Sequence, residues 1–305
     1  MQANLTSGNL TADKRADYAR MLSEAGDFQA ASDLMRQTLE LVPDWAAGWF
    51  QFAGYLERAN DPKSAAIACR KVLELAPADR FGARLKLSLL EGQSIPDMAQ
   101  TAYVEALFDD YADRFDHALL QKLDYRVPSL LAAMISVHCG DRIFSHAIDL
   151  GCGTGLMAQA LTRQPTEMTG IDLSAAMLER ARAKGLYKSL IKADLVEGMM
   201  QLGTADLILA ADVLMYLPSL DTVFDQVAVQ LKPGGLFAFS VERLEGQERF
   251  CLRPSLRHAH SEPYIRSLLA GRGLSLVDTR IEIIRRDGIE AITGQLYLAA
   301  KTAHG

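Results

Sequence analysis

This 305-residue chain has little of several things that would settle its class at once. Its four cysteines, Cys69, Cys139, Cys152 and Cys251, include no Cys-x-x-Cys pair, which excludes the common zinc-knuckle and dithiol redox motifs and reads as reduced thiols. No stretch reaches the ~18 uninterrupted apolar residues of a membrane helix, and the N-terminus "MQANLTSGNLTADKR" lacks the apolar core of a secretory signal. The expectation is a cytoplasmic protein with no membrane partner. Positive charge is not in excess either: the formal net charge of −6 argues against a nucleic-acid partner, which needs a basic face to neutralise phosphates. No His/Cys/Asp/Glu cluster has metal-ligand spacing, so no metal is expected.

What is present is ordinary globular material, 49% apolar and 23% charged, in a chain long enough for two domains. "LELVPDW" at Leu39–Trp45 returns as "LELAPAD" at Leu73–Asp79, which sets Pro43 and Pro77 34 residues apart. At the same spacing Ala31 matches Ala65, Arg36 matches Arg70 and Asp27 matches Asp61. Each unit reads as two amphipathic helices around a turn, "EAGDFQ" or "RANDPK". This pattern resembles the tetratricopeptide repeat family: Trp49, Ala53, Ala65 and Pro77 fill the aromatic, small and proline positions of the second repeat. Arg15 stands in the aromatic position of the first, as suits a terminal repeat with a polar outer face. Any tightly packed helix pair also favours small residues at its crossing. Arg80 to Gly92 reads as a capping helix, and the breakers in "EGQSIPDMAQ" mark a boundary. The expected division is an all-α domain over 1–92 and a second domain over 93–305.

From Ser145 onward short apolar runs alternate with amphipathic helices, which predicts a largely parallel sheet covered on both faces, closed by an antiparallel hairpin through Asp287 and Gly288. The first strand runs into "AIDLGCGTGLMAQAL", where Gly151, Gly153 and Gly155 alternate. A dinucleotide turn needs Gly or Ala three residues after Gly153, and Leu156 stands there. The turn instead suits a ligand without phosphates that presents an ammonium and a carboxylate, with Asp149 on the ammonium side. Asp172 ends the second strand, 21 residues beyond Gly151, near the offset at which an acid accepts from ribose hydroxyls. Asp194 ends the third strand and could accept from an exocyclic amine, while Ala211 and Asp212 end the fourth. Four strand ends thus supply partners for S-adenosylmethionine.

"IDLGCGTG", "TGIDLS", "KADL", "ADLILAADVLMYLP" and "LKPGGLFAFS" resemble the successive motifs of class I S-adenosylmethionine-dependent methyltransferases. The joined architecture resembles the predicted methyltransferases that carry tetratricopeptide repeats. The resemblance implies a Rossmann-like, seven-stranded sheet with one antiparallel strand. It implies cofactor contacts from Asp149, Gly151, Cys152, Gly153, Asp172, Leu173, Asp194, Leu195, Ala211 and Asp212, with Tyr111 or Phe115 walling the adenosyl site. Cys152 reads as a tolerated small residue, since no base partners it.

The expected activity is metal-free, in-line methyl transfer to an unidentified acceptor, either a protein or a small molecule, with anionic ones among the candidates. Its proton could be taken by the segment "RFCLRPSLRHAHSEPY", in which Arg257 would clamp an anion beside His258, His260 and Tyr264. The bland reading of that segment is a solvated face with a capping histidine. The rival function is a scaffold whose repeats recruit a protein partner and whose cofactor fold is regulatory or inactive.

Overall fold

The computed structural model describes residues 6–92, 101–112, 115, 125–161, 163–287 and 290–302. By contacts they fall into two compact units, one holding the residues through Asp110 with Pro254–Leu256, the other Tyr111–Arg253 and Arg257 onward. The division thus comes at Tyr111, later than the expected boundary after residue 92. Thr101–Asp110 joins the first unit, where the Tyr103 ring lies against Gly82 so closely that a Cβ there would sit 3.0 Å from it. Most of the expected linker, residues 93–100, lies outside the described residues.

The first unit contains α1 (Leu10–Glu24), α2 (Phe28–Leu41), α3 (Ala46–Arg58), α4 (Pro62–Leu75), α5 (Ala83–Glu91) and most of α6 (Thr101–Tyr111). The sequence repeat reappears as a repeated set of hydrogen bonds. Asp27 N donates to Leu22 O and Asp61 N to Leu56 O, both at 2.9 Å. The two carboxylates then cap the next helix, accepting from Ala30 N (3.0 Å) and Ser64 N (3.1 Å). The preceding turn residue has positive φ in both copies, Gly26 at 86° and Asn60 at 62°. Buried Ala31, Met35, Ala53, Ala65 and Cys69 fill the space between helices. The capping segment is the helix α5, begun by the buried Asp79 carboxylate, which accepts from Ala83 N (2.7 Å) and Arg84 N (2.9 Å).

The second unit holds α7 (Val127–Cys139), β1 (His146–Leu150), α8 (Leu156–Ala160), β2 (Glu167–Asp172), α9 (Ala175–Lys184), β3 (Ser189–Lys192), α10 (Leu195–Met200) and β4 (Ala205–Ala210). After a 3₁₀ turn at Leu214–Tyr216 come α11 (Asp221–Gln230), β5 (Leu231–Leu244), β6 (Phe250–Leu252), β7 (His258–Ser261), α12 (Glu262–Ala270), β8 (Leu274–Asp287) and β9 (Glu290–Lys301). Strands β3, β2, β1, β4 and β5 lie side by side and parallel. β9 runs antiparallel between β5 and β8, which completes seven strands with one reversed, as expected. The short β6 and β7 hairpin is an addition: β7 extends from the end of β5 through Glu242–Leu244, where only a connecting segment was expected. Gly288, in the expected hairpin turn, lies outside the described residues.

Alternation at period two divides the strand side chains between two cores. Ile148, Leu150, Ile208, Phe237, Phe239 and Tyr297 meet α10, α11 and α12 on one face, whereas Ala147, Leu207, Leu209, Leu236, Leu296 and Leu298 meet α7 and α8 on the other. With both faces covered, the open ground for a ligand lies beyond the carboxyl ends of the strands, where the order reverses between β1 and β4.

Candidate functional site

At that reversal, β1 runs out at Leu150 and the chain turns through Gly151, Gly153 and Gly155 with φ of 63°, 52° and 88°. All three glycines hold left-handed backbone, but their surroundings differ. A Cβ on Gly151 would lie 2.3 Å from Val213 Cγ2, and one on Gly155 would lie 3.0 Å from the Tyr187 ring. Among the described residues, a Cβ on Gly153 would meet only Phe115, at an ordinary 3.9 Å. The first and third glycines therefore admit neighbouring side chains, and Gly153 is the one with no close side chain among the described residues.

Asp149 lies buried just before this turn, with Oδ2 accepting from the Tyr187 hydroxyl at 2.7 Å. Its Oδ1 is buried and finds no hydrogen-bond partner among the described residues. Burial pushes its carboxyl up to about 7, against the lowering effect of the Tyr187 bond. A carboxylate oxygen without a partner among the described residues, in the strand that runs into the glycine turn, fits the ammonium end of S-adenosylmethionine. Asp172, at the end of β2, uses one oxygen on Gly153 N (2.8 Å) and the other on Ser174 N (2.9 Å). These two bonds hold the turn and the start of the next helix in place.

The other expected contacts divide. Phe115 stands over Gly153 with Tyr111 edge-on to it, ring centres 5.8 Å apart, so Phe115 is the aromatic nearer the turn. Asp194 caps α10 through Val196 N at 2.9 Å. Leu173 and Ala211 are half-buried at strand ends, whereas Leu195 is buried in the core with α11 and α12. Cys152 is buried beneath the turn, its Sγ 2.7 Å from where a Gly170 Cβ would be, and burial raises its thiol well above the usual value. It has the environment of a packing residue.

The catalytic expectations need correction. His258 and His260 sit on β7 with 2% and 0% exposure, and burial pulls both down to about 4. His260 Nε2 faces two carbonyls, Leu217 O at 3.0 Å and Pro218 O at 3.1 Å, so it carries the proton and donates. Nδ1 of each ring is buried without a partner among the described residues. Desolvated imidazoles of this kind are neutral but weak bases near pH 7, and the inference of a histidine base does not hold. Tyr264 is occupied as well, accepting from Leu220 N (2.9 Å) and donating to Asp221 (2.8 Å). The three arginines of the segment part ways: Arg249 pairs with Asp221, Arg253 donates to Arg243 O, and Arg257 lies near Tyr216, Asp212 and Glu242.

Arg257 belongs to a cluster that sequence reasoning missed. Its guanidinium lies 5.8 Å from the centre of the Tyr216 ring. Burial works against its charge, but Tyr216, Asp212 and Glu242 together hold its pKa above the ordinary value. Arg285, 3% exposed, pairs with Glu242 and reaches both Asp212 oxygens at 3.3 and 3.4 Å. Asp212 holds φ at 58°, a conformation that L-residues rarely adopt outside constrained sites, and burial raises its carboxyl while Arg285 and Arg257 oppose the rise. Tyr125 faces the same groups: burial raises its hydroxyl, and Asp212, Arg285, Asp149 and Tyr216 all act on it electrostatically. Arg285 had read as one residue of a hairpin strand. Only the β5–β9–β8 pairing brings it to Glu242, so no local signal could have found it. Among the described residues no group of three His, Cys, Asp or Glu is placed to hold a metal ion.

Comparison with known proteins points to a family by similarity. Residues 148–239 match the family model described as a methyltransferase domain. The chain is 32% identical over 105 residues to the ubiquinone biosynthesis O-methyltransferase of Xylella fastidiosa (strain 9a5c), covering 32% of this chain and 43% of that protein. It is 36% identical over 100 residues to the trans-aconitate 2-methyltransferase of Paracidovorax citrulli (strain AAC00-1), covering 32% and 38%. It therefore spans less than half the length of these curated relatives. Among solved structures it is similar to a chain of the complex between the Haloferax volcanii Trm112 methyltransferase activator and a methyltransferase, at 18% identity and a TM-score of 0.50, covering 66% of this chain and 99% of that one; the likeness is one of fold. The segment over residues 148–239 is thus similar to methyltransferase domains.

Proposed function

We propose that this protein transfers a methyl group from S-adenosylmethionine to an acceptor held beside Arg257 and Asp212. The observation that carries the reading is the Asp149 oxygen left without a partner among the described residues, in the strand leading into a glycine turn that Asp172 fixes. The bound sulfonium supplies an already activated methyl group, so the chain's own task is alignment and exclusion of water. Asp149 takes the ammonium, Asp172 the ribose, and Phe115 covers the adenosyl side. Arg257, half-exposed and without a carboxylate at ion-pair distance among the described residues, suits an acceptor with an anionic group. Asp212, whose carboxyl is raised, replaces the histidines as the group placed to receive a proton.

The hairpin repeat supports a tetratricopeptide-repeat reading of the first unit, which we take to recruit a protein partner. We read the enzyme as cytoplasmic, acting without a metal, and its net charge of −6 supports a partner other than nucleic acid. Titration calorimetry with S-adenosylmethionine and its demethylated product should give binding of micromolar order. Methyl-labelled cofactor with metabolite pools and cell extract should then reveal the acceptor. Absence of heat with both ligands would overturn the cofactor assignment. Binding without transfer to any pool would favour the scaffold reading, in which the domain is regulatory.

A further inference from the structure

The outermost long strand of the sheet, β8, is hydrogen-bonded to β9 on one side, and no described strand pairs with its other side. Only toward its end does a backbone bond reach it from elsewhere, Arg126 N to Ile284 O at 3.1 Å. Proteins ordinarily blunt such an edge, because its row of unpaired backbone groups is a template for another strand. Here the stretch before Ile284 is apolar where it faces water: Val277, Ile281 and Ile283 are 41%, 52% and 41% exposed, three large hydrophobics on one edge strand.

The charges along the same stretch choose the occupant. Arg280 and Glu282 flank Ile281 with opposite signs. In an antiparallel pairing of β8 with itself about a two-fold axis at Ile281, each Arg280 falls opposite a Glu282, Ile281 meets Ile281, and each Ile283 meets Thr279. All five positions from Thr279 to Ile283 then have favourable cross-strand partners, isoleucines and threonines on one face and two ion pairs on the other. A strand from an unrelated protein has no reason to match this sequence. A second copy matches it by symmetry, which is the signature of an isologous interface.

We infer that β8 is a self-association edge through which two copies join their sheets, centred on Ile281. Five paired residues span only ~17 Å, so association is modest, with a Kd of micromolar order.

Sedimentation velocity of the full chain over a concentration series tests this, with hydrogen exchange at the amides of 279–283 expected to slow as concentration rises. Glu282→Arg sets arginine against arginine twice and should weaken the dimer by roughly tenfold or more. Arg280→Glu does the same with carboxylates. The double variant R280E/E282R recreates both pairs with signs exchanged and should return the Kd to within about threefold of the parent. Arg280 also bonds Asp278 at 2.9 Å, so each variant is first checked by thermal melting; if R280E unfolds, Ile281→Asp, which places two carboxylates at the axis, carries the test with E282R. A parent chain that remains monomeric to roughly 100 micromolar overturns the proposal, as does a dimer indifferent to E282R and Ile281→Asp. A folded double variant no better than the single ones also overturns it.

Discussion

The glycine turn after β1 and the histidine hairpin at β6 and β7 are both dense in suggestive residues and both lie at carboxyl ends of strands, but they differ in what is left over. Around the turn, among the described residues, Asp149 keeps an unmet oxygen and Gly153 an open face. In the hairpin the groups are consumed by the fold: His260 holds the Leu217 and Pro218 carbonyls, Tyr264 bridges Leu220 N and Asp221, and Arg249 pairs with Asp221. The imidazole nitrogens there that lack a partner among the described residues belong to rings whose pKa burial lowers to about 4, so they rest neutral at pH 7. On the reading proposed above, a density of reactive residue types does not mark a site, whereas capacity left unspent does.

That contrast can be broken most forcefully at the turn itself. Gly151→Ala should cost about 3 kcal/mol, since the methyl enters Val213 and the backbone is left-handed; adding Val213→Ala should restore about half by relieving the collision. Gly153→Ala should cost only about 1 kcal/mol in a thermal melt while markedly weakening cofactor binding. Equal stability losses at the two positions would show that Gly153 is not the ligand-facing glycine.

Asp172→Ala should lower cofactor affinity by roughly a hundredfold in calorimetry, because a ribose acceptor and the clamp on Gly153 N go together. His260→Ala, by contrast, should cost about 2 kcal/mol of stability by leaving two buried carbonyls unmet, with cofactor affinity unchanged within about twofold. A strong fall in transfer rate without loss of stability would return the histidine to the site.

The pH dependence sharpens the comparison further. Asp149 has a folded pKa near 7, above the ~3.9 of an unfolded chain, so the folded state binds the extra proton between those values. Stability from this group is thus present at low pH and falls as pH rises through that window. An ammonium ligand favours the ionised carboxylate, so cofactor affinity should rise about tenfold per unit up to about pH 7 and then level. In Asp149→Asn the slope should vanish; a slope that persists would assign the titration to another group. The smallest effects belong to the helical unit, where Asp27→Ala and Asp61→Ala should each cost about 1 kcal/mol, and nearly the same, because each removes the same cap.

How much was legible follows from where each interaction closes. The helix hairpins, the order of strands and helices and the glycine turn were all readable, because caps, periodicity and left-handed turns are settled within a few residues of chain. Asp149, Asp172 and Gly153 stood out as candidates because each lies at or just beyond the end of a strand. The unexpected β6–β7 pairing was not, since "RFCLRPSLRHAHS" has neither a clean alternation nor a two-residue turn signal, and only the end of β5 gives it a partner.

By itself the sequence determined two kinds of domain, a cofactor turn and the class of ligand it suits, because local backbone sterics and hydrophobic period act over short separations. Tertiary structure alone decided that Gly151 and Gly155 serve Val213 and Tyr187 while Gly153 stays open, that the histidines are sealed, and that Arg285 meets Glu242 and Asp212. Those outcomes depend on burial and on contacts between residues 43 and 73 positions apart, where the desolvation of a charge and the partner that offsets it are fixed only when the strands have assembled.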